Sequence, residues 1–184
     1  PGTNRIGEGH VLKFDKDLRL VDESPTETAI ELSGFKGVTH LSLHPSQQFI
    51  AYTTETSKRL MRYDIVNRRQ MPDLARIDGD DLFDRRWFIA LAYAKDGRLL
   101  VTRGDFVEVY AEDGRVLNTI SLKESGYGFA QVAVCADQVH ALAANIFTGI
   151  ACKFEIATGR VVGQVQTDHV SPRRSLAGIA EFPG

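Results

Sequence analysis

Residues 41–52 read Leu41-Ser-Leu-His-Pro-Ser-Gln-Gln-Phe-Ile-Ala-Tyr52, two apolar stretches around a polar turn, and this pattern returns twice further along the chain. The two copies are Leu91-Ala-Tyr-Ala-Lys-Asp-Gly-Arg-Leu-Leu-Val-Thr102 and Val132-Ala-Val-Cys-Ala-Asp-Gln-Val-His-Ala-Leu-Ala143. Self-similarity at a period of roughly 40 to 50 residues is the signature of repeat architectures. The pattern therefore predicts three repeats that each begin with two short strands joined by a turn.

Each repeat continues with a third strand that ends in a charged turn, and a fourth strand follows. The third strands are Leu60–Ile65, Val107–Gly114 and Cys152–Gly159, and fourth strands are found at Arg115–Leu122 and Arg160–Gln166. Apolar and polar residues alternate with period two, and no segment combines helical periodicity with a cap and a stop. The sequence predicts an all-β fold of β-propeller blades, each a four-stranded antiparallel meander. A β-sandwich is the rival fold, but a sandwich does not require the same four-strand pattern three times.

The blade boundaries predict one propeller domain over residues 1–184, with a partial blade at 1–35 and full blades at 36–80, 86–124 and 126–168. His10–Asp15 matches a third strand, and Leu176–Glu181, within 175–184, matches a first strand of a further or shared blade. Two arrangements stay open. Either the two ends share one blade of a four-bladed ring, or the chain is a fragment of a larger propeller whose open blade edges favour homo-oligomers.

Thr39–Tyr52 and Ile89–Thr102 resemble the strand-turn-strand repeat of YVTN- and NHL-type β-propellers. The resemblance extends over most of the chain, although its motifs specify the fold rather than an activity. It implies a propeller that acts as a scaffold, and this role is an analogy at the level of the fold.

The composition is that of a soluble globular domain, with 43% hydrophobic residues, a formal charge of -2 and a pI near 6.2. This balance argues against nucleic acid as a partner, and no apolar run is long enough for a membrane helix. Cys135 and Cys152 are predicted two strands apart, about 9 to 10 Å, which is too far for a disulfide. Free thiols favour the cytoplasm, with the periplasm or secretion left open.

No catalytic, cofactor-binding or metal-binding motif is recognisable, so we expect no cofactor and no metal. The acidic segment Asp78–Asp84 is interpreted as a solvated loop rather than a calcium site. His44 is expected to be a solvated turn residue. His40 aligns with Ala90, Gln131 and Gly178 near one mouth of the central channel, where an enzyme site would lie.

Loops that join fourth to first strands share one propeller face with loops that join second to third strands. Arginine and aromatic residues concentrate in these loops, which is the composition of binding hot spots. The candidate binding residues are Arg85, Arg86, Trp87, Tyr127, Phe147, Arg173 and Arg174, together with His40 at the channel mouth; Lys36, Lys58, Arg103 and Asn145 are expected on the same face. Two functions follow as hypotheses. One is a non-enzymatic module that binds a protein or an anionic ligand, and the other is a lactonase- or lyase-type enzyme or a subunit of a redox complex.

Overall fold

The computed structural model describes residues 5–30, 38–54, 58–77, 87–172 and 175–182. These residues form antiparallel sheets, and the described part of the chain contains a single short 3-10 helix at Lys123–Ser125. No described helix has the length and apolar character needed to cross a membrane. The prediction of an all-β chain built from propeller blades is confirmed.

Four sheets follow one another along the chain, and we call them blades 1 to 4. Blade 1 has two strands, β1 (Arg5–Phe14) and β2 (Leu20–Ile30). Blade 2 contains β3 (His40–Leu43), β4 (Phe49–Thr53), β5 (Arg59–Asp64), β6 (Arg69–Gln70) and β7 (Ala75–Arg76), which pairs with β5. Blade 3 contains β8 (Leu91–Tyr93), β9 (Leu99–Arg103), β10 (Phe106–Tyr110) and β11 (Val116–Ser121). Blade 4 contains β12 (Phe129–Val134), β13 (His140–Asn145), β14 (Ile150–Glu155) and β15 (Val161–Gln166).

The repeat is visible in the backbone of the turn between first and second strands. Gln47, Gly97 and Gln138 occupy the same position of this turn and have φ values of 59°, 88° and 59°. Each donates its N–H to the carbonyl three residues earlier, at 2.8, 3.1 and 3.0 Å respectively. The sequence alignment of the three repeats is therefore correct up to this residue, even though only blade 3 has the glycine that a positive φ favours. Beyond it the turn of blade 3 is one residue shorter, since the Ala94 N–H bonds Arg98 where the His44 N–H bonds Phe49.

Apolar side chains pack between neighbouring blades rather than within one sheet. Leu91, Leu99 and Val101 of blade 3 meet Ala51 and Leu60 of blade 2 in one cluster. A second cluster joins blade 3 to blade 4, and a third lies on the face of blade 2 toward blade 1, where Val11 packs against it. Burial between sheets explains why the strands alternate with period two and still form a continuous core.

At the ends of the chain, one predicted strand is longer than expected and the other is not formed. Residues 5–14 form one continuous strand paired with β2, so the third strand of blade 1 begins well before His10. Residues 175–182 form no strand, and Glu181 instead accepts a bond from the Ala136 N–H of blade 4 at 2.5 Å. An extended segment becomes a strand only when a neighbouring edge supplies its hydrogen bonds, and residues 175–182 pair with none of the described strands.

Cys135 and Cys152 are both buried free thiols, as predicted. Cys152 lies in β14, the third strand of blade 4, and Cys135 comes directly after β12 rather than inside it. Burial raises the pKa of both thiols, and for Cys152 a hydrogen bond with Ser125 works in the opposite direction. A raised pKa keeps a thiol protonated and weakly nucleophilic, so both cysteines are inert core residues.

Leu91 and Leu41 occupy the same position in the first strands of neighbouring blades but differ in exposure, 6% against 61%. We expect Leu91→Ala to lower the free energy of unfolding by about 2 to 4 kcal/mol, because it empties a buried position between blades 2 and 3. Leu41→Ala should cost about 1 kcal/mol or less, since little apolar area is lost. Urea unfolding of the two variants measures the difference, and equal losses would contradict this packing.

Candidate functional site

The loop face is built from three connections that lie side by side. The β9–β10 turn, the segment before β12 and the β13–β14 turn are joined by backbone bonds, from the Gly128 N–H to the Gly104 carbonyl at 2.9 Å and from the Ile146 N–H to the Gly128 carbonyl at 3.0 Å. The segment after β15 joins this row, because the Ser171 N–H donates to the Phe147 carbonyl at 3.0 Å. Second-to-third and fourth-to-first loops therefore share one face, as the blade pattern requires.

Asn145 holds this row of loops in place and is completely buried. Its side-chain amide donates to the carbonyl oxygens of Gly126 at 3.2 Å and Tyr127 at 3.0 Å. Its side-chain oxygen accepts from the N–H groups of Phe147 at 3.0 Å and Thr148 at 3.1 Å. Asn145 was expected on the binding surface; it lies beneath that surface and fixes the two loops that carry the aromatic rings.

Tyr127 and Phe147 are the aromatic residues that the structure brings to the loop face. Their exposed fractions are 37% and 48%. Each ring lies against a glycine, Tyr127 over Gly104 and Phe147 over Gly128, and a Cβ at either glycine would overlap the ring. The glycines have φ values of 73° and 119°, a region that side chains disfavour. Both rings are consequently packed against backbone and remain partly exposed.

The remaining candidates divide into two groups. Trp87 is half-buried at the start of the segment that leads into blade 3. Lys36, Arg85, Arg86, Arg173, Arg174 and the acidic segment 78–84 lie outside the described residues. The arginines therefore remain sequence-based candidates for the loop face.

Arg103 was expected on the loop face, and the structure assigns it a buried ion pair instead. Its guanidinium donates to both carboxylate oxygens of Glu108 at 2.9 Å and lies 5.2 Å from the ring centres of Phe88 and Phe106. The Tyr110 hydroxyl donates to the same carboxylate. Burial, and then this bond to a carboxylate, raise the pKa of Tyr110 well above its usual range. The guanidinium is satisfied inside the protein, so it is not available to a ligand.

His40 and Gln131 meet across blades 2 and 4, as their alignment at the channel mouth predicts. Their Nε2 atoms lie 3.2 Å apart, within hydrogen-bonding distance. Ala90 of blade 3 is buried, and Gly178 belongs to the segment that forms no strand. Among the described residues, no group of three or more His, Cys, Asp or Glu side chains is placed to hold a metal ion.

His44 was expected to be solvated and is buried instead. Its ring stacks on Phe49 at a centroid distance of 4.2 Å and meets the edge of Tyr93 at 4.9 Å, while Nδ1 accepts the Ser46 N–H at 3.1 Å. Burial lowers the pKa of His44 and raises that of Tyr93 to about 12. This aromatic group joins blade 2 to blade 3 and is a packing feature. The sequence of the turn alone could not predict the burial of His44, because Tyr93 comes from the next repeat.

Comparison with known proteins identifies the fold and no family. No family model matches the chain, and no curated protein matches it. The chain is similar in structure to hydrazine synthase of Kuenenia stuttgartiensis, with a TM-score of 0.65 and 16% sequence identity. The match covers 87% of this chain and 44% of that one, so the chain spans less than half the length of this neighbour. At this identity the likeness shows the fold alone, and the resemblance to YVTN- and NHL-type repeats remains a prediction.

Proposed function

We propose that the chain is a non-enzymatic propeller module that binds a partner protein through its loop face. The single observation that carries the proposal is the pair of exposed rings, Tyr127 and Phe147, seated on glycines and fixed from below by Asn145. Large exposed aromatic side chains are the residues most often found at the centre of binding hot spots.

Preorganisation strengthens the argument from composition. Ordering a loop on binding costs free energy, and a surface whose loops are already bonded to one another avoids that cost. Here the carbonyl of Tyr127 and the N–H of Phe147 are both held by the Asn145 side chain. The backbone on both sides of the loop face is therefore held by a buried side chain of the protein itself.

The sequence is the basis for proposing that the partner carries negative charge. Arg85 and Arg86 precede blade 3 directly, and Arg173 and Arg174 follow blade 4. Paired guanidinium groups favour carboxylates or phosphates, because each presents several N–H donors in a planar fork. An acidic protein surface fits this combination of arginines and aromatic rings, and a small anionic ligand would use the arginines alone.

A second candidate function rests on the His40–Gln131 hydrogen bond at the channel mouth. An imidazole in such a place is suited to accept or donate a proton in lactonase or lyase chemistry. The similar solved structure bears the name of an enzyme, hydrazine synthase. A role as a subunit of a redox complex belongs to this second candidate function. The loop face is the better supported of the two, because its rings are both exposed and fixed.

Site-specific photocrosslinking tests the binding proposal. The full chain carries p-benzoylphenylalanine in place of Phe147, or in place of Leu117 on the outer strand of blade 3 as a control of similar exposure, 43%. We expect a discrete adduct from position 147 in a lysate of the source cells and none from position 117. Adding Tyr127→Ser should reduce the yield about tenfold or more, the loss that follows removal of an aromatic hot spot.

Two results would contradict this function. Equal adduct yields from the two positions would show that the loop face has no preference for a partner. Hydrolysis of a lactone panel that disappears on His40→Ala would place the activity at the channel mouth instead.

A further inference from the structure

His44 lies at a position that the repeat fills with a small uncharged side chain in the two blades that follow. Its equivalents are Ala94 and Cys135, because in all three turns the N–H of this residue donates across the turn and its carbonyl accepts the N–H three residues later. The three residues are 8%, 1% and 0% exposed. Blade 2 therefore has an imidazole, which gains a proton near about pH 6.5 in water, at a position that is buried in all three turns.

The hydrogen bonds of the His44 ring fix it in the neutral form. The backbone N–H of Ser46 lies 3.1 Å from Nδ1 and can only donate, so Nδ1 must present its lone pair. The Ser46 hydroxyl lies 2.8 Å from the same nitrogen. The proton of the neutral ring is consequently on Nε2, which is buried and has no hydrogen-bond partner among the described residues.

A second proton has no suitable place on this ring. It would bind Nδ1, where the new N–H and the N–H of Ser46 would face each other, and the Ser46 hydroxyl alone could accept it. The Nε2–H would stay without an acceptor on a ring that is now charged. Phe49, stacked at 4.2 Å, attracts a cation through its ring face but supplies no hydrogen bond. Burial accordingly lowers the pKa of His44.

The charged groups near the outer side of the ring do not offset this cost. Glu112, in the β10–β11 turn of blade 3, favours the charged ring, but its effect on the pKa of His44 is smaller than that of burial. The guanidinium of Arg62 on β5 lies 3.3 Å from the Glu112 carbonyl, so a positive charge lies beside the same turn. The described histidines that contact a carboxylate at ion-pair distance are His10, His140 and His169, and not His44.

The groups that face His44 from the β8–β9 hairpin of blade 3 are uncharged or already paired. Tyr93 meets the ring edge-on at 4.9 Å, and its hydroxyl stays neutral because burial raises the pKa of Tyr93 to about 12. Gly97 approaches Nε2 so closely that a Cβ there would lie 3.2 Å from it. Asp96 and Arg98 on either side of this glycine form an ion pair with each other at 2.7 Å.

Blade 2 contacts Tyr93 at its backbone as well as at its ring, because the Tyr93 N–H donates to Ser42 Oγ at 3.1 Å. We propose that His44 is an acid-sensitive contact between blades 2 and 3. Below about pH 6.5 a proton from solvent binds Nδ1, the charged ring leaves Phe49 and Tyr93 for water, and the β3–β4 turn separates from β8. Acid thereby loosens the contact between two blades whose own sheets stay formed.

The direction of the pH effect follows from the difference between the folded and the unfolded chain. In the unfolded chain His44 takes up its proton at about pH 6.5, whereas burial lowers the pKa of the folded ring below this value. Stability is therefore complete above that pH and is lost as the pH falls below it. While the folded ring stays neutral, the unfolding constant should rise by about thirtyfold between neutral pH and pH 5.

Urea unfolding of the full chain at a series of pH values from about 7.5 to 5 tests the proposal, with His44→Asn as the variant. The Asn side-chain oxygen can accept the Ser46 N–H as Nδ1 does, and the amide does not titrate. We expect acid to raise the unfolding constant of the parent chain by about ten- to thirtyfold more than that of His44→Asn. His140→Asn is the matched control, because His140 follows the same turn in blade 4 and contacts Asp137; it should keep the extra loss of the parent.

Hydrogen exchange separates a local opening from a general loss of stability. The Tyr93 amide is the reporter, because its acceptor, Ser42 Oγ, belongs to the other blade. In the parent chain its protection factor should fall with acid relative to the protection factors of the β14 amides. In His44→Asn the ratio of the two should not change with pH.

Equal pH dependence of the parent chain and His44→Asn would overturn the proposal, and so would a His140→Asn variant that lacks the extra acid loss. An NMR titration of the His44 ring in the parent chain needs no variant. The expected ring stays unprotonated at Nδ1 until the Tyr93 amide begins to lose protection. Uptake of the proton at or above about pH 6.5 with the Tyr93 amide still protected would show that the charged ring is tolerated in place, against the proposal.

Discussion

Replacing Arg103 with methionine should lower the free energy of unfolding by about 3 to 5 kcal/mol, the usual cost of removing one partner from a buried ion pair. Glu108 is only 9% exposed and receives two bonds from this guanidinium. Without Arg103, the Glu108 carboxylate would lose both of these bonds and would keep only the one from the Tyr110 hydroxyl among those described here. Chemical denaturation at pH 7 measures the loss.

Arg98→Met is the matched control, because the Asp96 carboxylate that Arg98 contacts has 53% of its side chain exposed. An exposed pair of this type contributes about 0 to 1 kcal/mol. The double variant Arg103→Met with Glu108→Leu should regain part of the stability, since an apolar pair of similar volume has no charge to desolvate, although the Tyr110 hydroxyl loses its acceptor. A single Arg103→Met variant within 1 kcal/mol of the parent would mean that Glu108 is not confined as described.

Replacing Asn145 with alanine should also cost about 3 to 5 kcal/mol, since each buried polar group left without a partner costs roughly 1 to 3 kcal/mol. The side chain serves the carbonyls of Gly126 and Tyr127 and the N–H groups of Phe147 and Thr148 at a position with no exposure. Beyond the loss of stability, the amides of residues 126–128 and 146–148 should exchange faster with solvent. This local readout separates loop loosening from a general loss of stability.

Asn118→Ala provides the comparison for Asn145. The Asn118 amide also donates to two carbonyls, those of Ile156 and Ala157 at 3.1 Å each, but it lies on a partly exposed strand where water can replace it. We expect a loss of about 1 kcal/mol or less there. Similar losses at the two positions would contradict the view that Asn145 organises the loop face.

Much of the candidate site could be predicted from the sequence, and the rest depended on contacts between repeats. Tyr127 and Phe147 follow from blade topology, because a loop residue at a known point of the repeat must lie on a known face. Arg103 and Asn145 have equivalent loop positions and were misassigned. The groups that they bond lie elsewhere in the chain, Glu108 on the following strand and the carbonyls of Gly126 and Tyr127 in the loop before β12. Composition does not reveal which polar side chains will be paired.

The strands of blades 2 to 4, their order within each blade and the turns between first and second strands could be predicted from the sequence. These follow from local chemistry, namely the alternation of apolar and polar residues and the position of the positive-φ residue at Gln47, Gly97 and Gln138. Tertiary structure alone decided which side of each blade is covered. Leu41 and Leu91 stand in the same local sequence pattern, yet one is exposed and the other buried, because burial depends on whether a neighbouring blade supplies two strands at that place. The same reason explains why Leu176–Glu181, with the pattern of a first strand, forms none: a strand needs a hydrogen-bonding partner that its own residues cannot provide.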